Sequence, residues 1–148
     1  MARGTERFPA QAGRTIVITR VFNAPRELVF AAWTKPEHLV RWHHAGEGWT
    51  TPFAETDVRP GGALRIGYGS PDGKDDFVLE GTYRQIVEPE RIVFVMADGR
   101  PVTVILEDLG GKTNLTLELT LETEYPEAMQ RQGWTEHLDN LADYLAKR

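Results

Sequence analysis

The 148-residue chain has no cysteine, which excludes thiolate metal centres, iron–sulfur clusters, cysteine nucleophiles and any disulfide framework. Serine is almost as scarce. The only one, Ser70, lies in the turn sequence Ser70-Pro71-Asp72-Gly73 with no Gly-x-Ser-x-Gly elbow around it, so serine-hydrolase chemistry is excluded as well. No stretch approaches the ~18 consecutive apolar residues of a membrane span. The opening Met1-Ala2-Arg3-Gly4-Thr5-Glu6-Arg7 leads into no apolar signal-peptide core, and a cytoplasmic protein without a membrane partner is expected. Basic residues are outnumbered, 17 Lys+Arg against 22 Asp+Glu, and the net charge of −5 has the wrong sign for neutralising phosphates. No nucleic-acid partner is expected.

What is present reads as one domain. Hydrophobic residues at 41% and charged residues at 26% are the proportions of an ordinary globular chain, long enough to hold a core without staples. Residues 1–13 mix Gly, Pro, Gln and charge without period and read as a flexible leader to a single domain over 14–148. From Thr15 to Phe22 the run Ile16, Val17, Ile18, Val21, Phe22 predicts a strand with apolar contacts on both faces. Pro25 and Glu27 open a short helix carried by Leu28, Val29, Ala31 and Ala32 to Trp33. Thr34-Lys35-Pro36-Glu37 has the form of a capping box, with Leu39, Val40 and Trp42 on the buried side of a second helix.

About seventy residues of strand pattern follow, punctuated by Pro60-Gly61-Gly62, Ser70-Pro71-Asp72-Gly73, Pro89, Asp98-Gly99 and Gly110-Gly111. The first of these strands is expected to end near Arg59. Leu115, Leu117, Leu119 and Leu121 alternate with polar residues, the pattern of a strand with one core face. Gly67 and Gly81, inside strands, fit a sheet that must bend. After Pro126 a helix of about twenty residues carries Trp134, Leu138, Leu141 and Leu145 at steps of four, three and four. Helices bracket the sheet instead of alternating with its strands, so the fold class is α+β: a curved antiparallel sheet of about six or seven strands around a long C-terminal helix.

Several segments, in order, carry a family resemblance. They include Arg20-Val21-Phe22-Asn23-Ala24-Pro25, Ala32-Trp33-Thr34-Lys35-Pro36-Glu37-His38-Leu39 to Trp42, and Asp57-Val58-Arg59-Pro60-Gly61-Gly62. Gly81-Thr82-Tyr83, Pro89-Glu90-Arg91-Ile92-Val93-Phe94 and Gly133-Trp134-Thr135-Glu136-His137-Leu138-Asp139 complete the set. The sequence resembles the START-like, or helix-grip, superfamily, in the group similar to the C-terminal domain of the heat-shock-protein-90 ATPase activator. The resemblance implies a cavity between the long helix and the concave sheet face that holds hydrophobic or amphipathic small molecules. It does not imply one reaction. Where many relatives have a second tryptophan and then glycine-proline, this chain has His43-His44-Ala45-Gly46.

The candidate ligand-binding residues follow. Trp134, Leu138 and Leu141 are expected to wall the cavity, with Tyr68, Tyr83, Phe94 and Met96 as its floor. Trp42, Trp49 and Phe53 complete the aromatic inventory, and core packing is the competing role for all of these side chains. His43 or His44 is the expected polar anchor. Adjacent histidines on a helix end diverge by about 100° and do not readily share a metal, so no metal site is expected. Arg65 and Arg84 would either hold an anionic head group or form cross-strand pairs with glutamates. No catalytic residue is assigned and no cofactor is expected, since the sequence carries no cofactor motif. The expected partner is a small hydrophobic or aromatic molecule. The alternatives are a cyclase or hydrolase using the two histidines as acid and base, and a chaperone-directed interaction module. A homodimer is left open.

Overall fold

Thr15–Phe22 is the edge strand β1 of a computed structural model that describes residues 7–147. Its apolar residues do not bury both faces: Ile16 and Phe22 are inside, whereas Val17 and Val21 are 49% and 55% exposed. The reason is position, because β1 is an edge strand paired only with the last strand, and among the described residues its outer face is left largely open. Helices α1 (Arg26–Thr34) and α2 (Pro36–Trp42) follow. The capping box between them does not form. Thr34 is still helical, its hydroxyl donates to the Phe30 carbonyl at 2.9 Å, and the N-cap of α2 is Lys35 without a side-chain cap.

The sheet continues through β2 (Thr50–Thr56), β3 (Ala63–Gly69), β4 (Phe77–Val87), β5 (Arg91–Met96), β6 (Pro101–Asp108) and β7 (Thr113–Thr120). All neighbours are antiparallel in the order β1-β7-β6-β5-β4-β3-β2. β2 stops at Thr56, before Arg59, because the chain turns back there. Gly62 passes so close to Asp57 that an added Cβ would lie 1.9 Å from the Asp57 carbonyl oxygen. A backbone atom cannot swing aside, so Gly62→Ala is expected to lower stability by about 1–3 kcal/mol in urea unfolding. An unchanged midpoint would show that the turn relaxes.

Helix α3 (Glu127–Ala146) lies over the concave face. Leu138, Leu141 and Leu145 bury against the sheet along with Leu115, Leu117 and Leu119 of β7. An ion pair between Arg20 and Asp139 ties the helix to β1. This is the helix-grip α+β architecture expected from the order of elements.

Part of the expected leader is firmly held. Residues 1–6 lie outside the described residues, but Phe8 N–H donates to the Thr123 carbonyl at 2.8 Å. Gln11 is buried, and its side chain bonds the Glu122 and Tyr125 carbonyls and the Glu127 N–H, each at 2.9 Å. Backbone groups left unpaired at the start of α3 find partners there, a role that composition does not display.

Candidate functional site

The buried stripe of α3 is shorter than the helix. Its C-terminal half is packed solid by leucines, whereas its N-terminal half carries Met129, Gln130, Gly133, Trp134 and His137, none of which is fully buried. An aliphatic filler is missing there. At Gly133 an added Cβ would meet nothing within 4 Å. The space beneath is a cleft of ≈ 530 Å³, closed below by Tyr68, Phe77, Leu79 and Met96 from β3, β4 and β5. Phe77, Tyr125 and Met129, at 54%, 46% and 56% exposure, form an apolar rim. Asp98, Arg100 and Glu122 make one polar end.

Of the expected binding residues, Trp49, Tyr68, Met96 and Trp134 line this cleft. The others stand elsewhere. Trp42 is fully buried, edge-to-face with Trp33 at 4.9 Å, and its indole N–H donates to the Ala32 carbonyl at 2.9 Å. Tyr83, Phe94, Leu138 and Leu141 are core residues with at most 4% exposure. Phe53 lies on the convex face, where its ring covers Gly67 and Arg65 sits 5.4 Å above it. Arg65 itself pairs with Glu55 at 2.8 Å and Glu80 at 3.1 Å, the cross-strand alternative to holding a head group.

The two expected anchors diverge. His43, at 1% exposure, sits behind the cleft wall with its Nδ1 2.8 Å from the Tyr68 hydroxyl. Burial, and then the neighbouring His137 ring at 4.7 Å, hold its pKa well below the ordinary value. His44 points to a separate depression beside Glu136, Asp139 and Asn140. The Thr51 hydroxyl donates its one proton to the His43 carbonyl, so His44 Nδ1 must be the donor in its 2.9 Å bond to Thr51 Oγ1. Burial lowers the pKa of His44 too. Among the described residues no group of three or more His, Asp or Glu side chains is placed to hold a metal ion.

The imidazole that does reach the cleft is His137, stacked on Trp134 at 4.9 Å. Its Nδ1 lies 2.9 Å from the Gly133 carbonyl, which only accepts, so Nδ1 carries the proton. Burial lowers its pKa to about 4. The ring is therefore neutral near pH 7 and its Nε2 is a bare acceptor, buried and without a partner among the described residues. In the sequence His137 shows only within the Gly133–Asp139 segment that carries the family resemblance, beside the leucine stripe, and not as a candidate binding residue. Phe77, Gly133 and Glu122 carry no signal of a site, because their role depends on how far the sheet curves away from α3.

A long helix gripped by a bent sheet, with an open apolar cleft beneath one end, defines the START-like class. Residues 23–146 match the family described as Activator of Hsp90 ATPase homolog 1-like protein, and the chain belongs to that family. The AHSA1-like protein from Aeromonas hydrophila is 32% identical, superposes with a TM-score of 0.84, and the match covers 90% of this chain and 92% of that one. A Chromobacterium violaceum protein is 27% identical with a TM-score of 0.80 and coverage of 88% and 96%. One from Cytophaga hutchinsonii is also 27% identical, with a TM-score of 0.77 and coverage of 91% and 94%. No curated protein matches the chain. Among the described residues no helix is long and apolar enough to cross a membrane.

Proposed function

We propose that the protein binds a small hydrophobic or aromatic molecule in the cleft between α3 and the sheet. The observation that carries this reading is an apolar hollow of ≈ 530 Å³ under a helix position with no side chain, within the ~300–1,000 Å³ usual for ligand sites. The exposed rim of Phe77, Tyr125 and Met129 supports it, since large apolar side chains grouped at the mouth of a hollow mark a contact surface. Acid–base chemistry by His43 and His44 has no support here, because one lies behind the wall and the other faces the separate depression. A role in stimulating a chaperone ATPase comes second, since it draws on the family description and on no feature of the cleft.

Titration with aminoanthracene, whose fluorescence rises in apolar surroundings, tests the proposal. A saturable, one-to-one enhancement is expected, together with quenching of tryptophan emission from Trp49 and Trp134 at the cleft wall. A signal that grows linearly to the solubility limit would remove the reading.

A further inference from the structure

The chemical class of the ligand follows from which polar groups of the cleft are already satisfied, an inference that rests on the reading above. Charged side chains of the lining are mostly paired already. Asp98 holds Arg100 at 2.7 Å, and Arg100 also donates to the Thr120 carbonyl at 3.2 Å and contacts the Met96 sulfur at 3.4 Å. Glu80 is paired with Arg65 at 3.1 Å. Glu122 is left. It has no ion pair within 4.0 Å among the described residues, and its buried Oε1 accepts no hydrogen bond.

Glu122 is also held in place. Gln130 accepts from its N–H at 3.0 Å and donates to its carbonyl at 3.2 Å, while Gln11 donates to the same carbonyl at 2.9 Å. That clamp fixes the backbone that carries the carboxyl at this end of the lining. Burial pushes its pKa up, against the pull of Arg100, which means the ionised form lacks the donors it would have in water. His137 Nε2, also in the lining, is likewise an acceptor without a donor among the described residues. Among the described residues both orphan groups of the lining thus accept, and leaving a buried acceptor unmatched is costly.

We propose that the cleft selects an aromatic molecule bearing hydrogen-bond donors, neutral or cationic, and discriminates against aromatic carboxylates. A ligand hydroxyl seated at His137, or an amine seated at Glu122, supplies the missing proton. A carboxylate supplies none, and it brings a second negative charge toward Glu122 while Arg100 is already engaged by Asp98.

Four naphthalenes substituted at the same ring carbon separate the terms: methylnaphthalene, naphthol, naphthylmethylamine and naphthoate, each titrated calorimetrically at neutral pH against the wild-type chain. Naphthol and naphthylmethylamine are expected to bind about tenfold tighter than methylnaphthalene, and naphthoate about tenfold weaker. His137→Phe, which keeps a ring against Trp134, should bring the naphthol-to-methylnaphthalene ratio to about one. Glu122→Gln should cut the naphthylmethylamine-to-methylnaphthalene ratio by about tenfold. Naphthoate binding as tightly as naphthol would overturn the inference and leave the cleft as a receptor. Saturation by none of the four would remove the receptor reading itself. The wild-type series decides the matter even if a variant fails to fold, which circular dichroism would show.

Discussion

Gly133→Leu is expected to weaken aminoanthracene binding by roughly tenfold to hundredfold while leaving the protein folded. The position faces open space, so the isobutyl group enters the volume that a ligand would occupy. Forcing a ligand past it carries an overpacking cost of about 1–3 kcal/mol, which is the stated range when converted to affinity. Stability moves the other way. Glycine in a helix interior costs ~1 kcal/mol relative to alanine, and Gly133 lies well inside α3. Gly133→Ala is therefore expected to raise stability by about 0.5–1 kcal/mol in urea unfolding. Undiminished binding by the leucine variant would show that ligands use some other surface.

Acidification is the second large effect. His137, brought to about 4 by burial, and His43, lowered by burial and by its neighbour, take up protons more readily in the unfolded chain, where imidazole titrates near ~6.5. Below that value the unfolded state binds the extra protons, so stability falls as pH falls and is fully present above it. Each histidine contributes up to ~1.4 kcal/mol per pH unit. From about pH 7 to about pH 5 His137 alone should remove roughly 2 kcal/mol, and His43 shifts the balance in the same direction. Urea midpoints across that range check this, and His137→Phe should flatten the profile. A wild-type profile that stays level would mean that both rings are hydrated or paired in the native state.

Much of the fold was legible because its signals are local. The alternation Leu115, Leu117, Leu119 and the leucine steps of α3 each mark a face, and the two faces meet in the core as expected. Turn residues delimit the strands for the same reason. The cleft was legible only in part. Trp49, Tyr68, Met96 and Trp134 reach it, but Tyr83, Phe94, Leu138 and Leu141 share its chemistry and lie in the core instead. An apolar side chain under the packed half of a helix and one under the open half look alike in sequence. The difference is set by the distance between helix and sheet, which depends on curvature accumulated over seven strands.

The histidines illustrate the same limit from the polar side. His43-His44 stands out because a pair is conspicuous, yet α2 ends at Trp42 and sends one ring inward and the other toward Thr51. His137 is a single residue beside a leucine stripe, and its importance comes from a bond to the Gly133 carbonyl that frees Nε2 as an acceptor. Gln11 is similar, a lone polar residue in an unpatterned stretch that fixes the entry to α3.

The claim on which the account depends is that the hollow under the N-terminal half of α3 is where a ligand sits. Amide and side-chain chemical-shift mapping during titration with aminoanthracene tests it directly. The largest shifts should fall on Gly133, the Trp49 and Trp134 indoles and the Met96 methyl, which line the hollow, with Phe53, Val17 and Val21 unmoved. Shifts centred on those three residues, or scattered evenly over the molecule, would contradict the account.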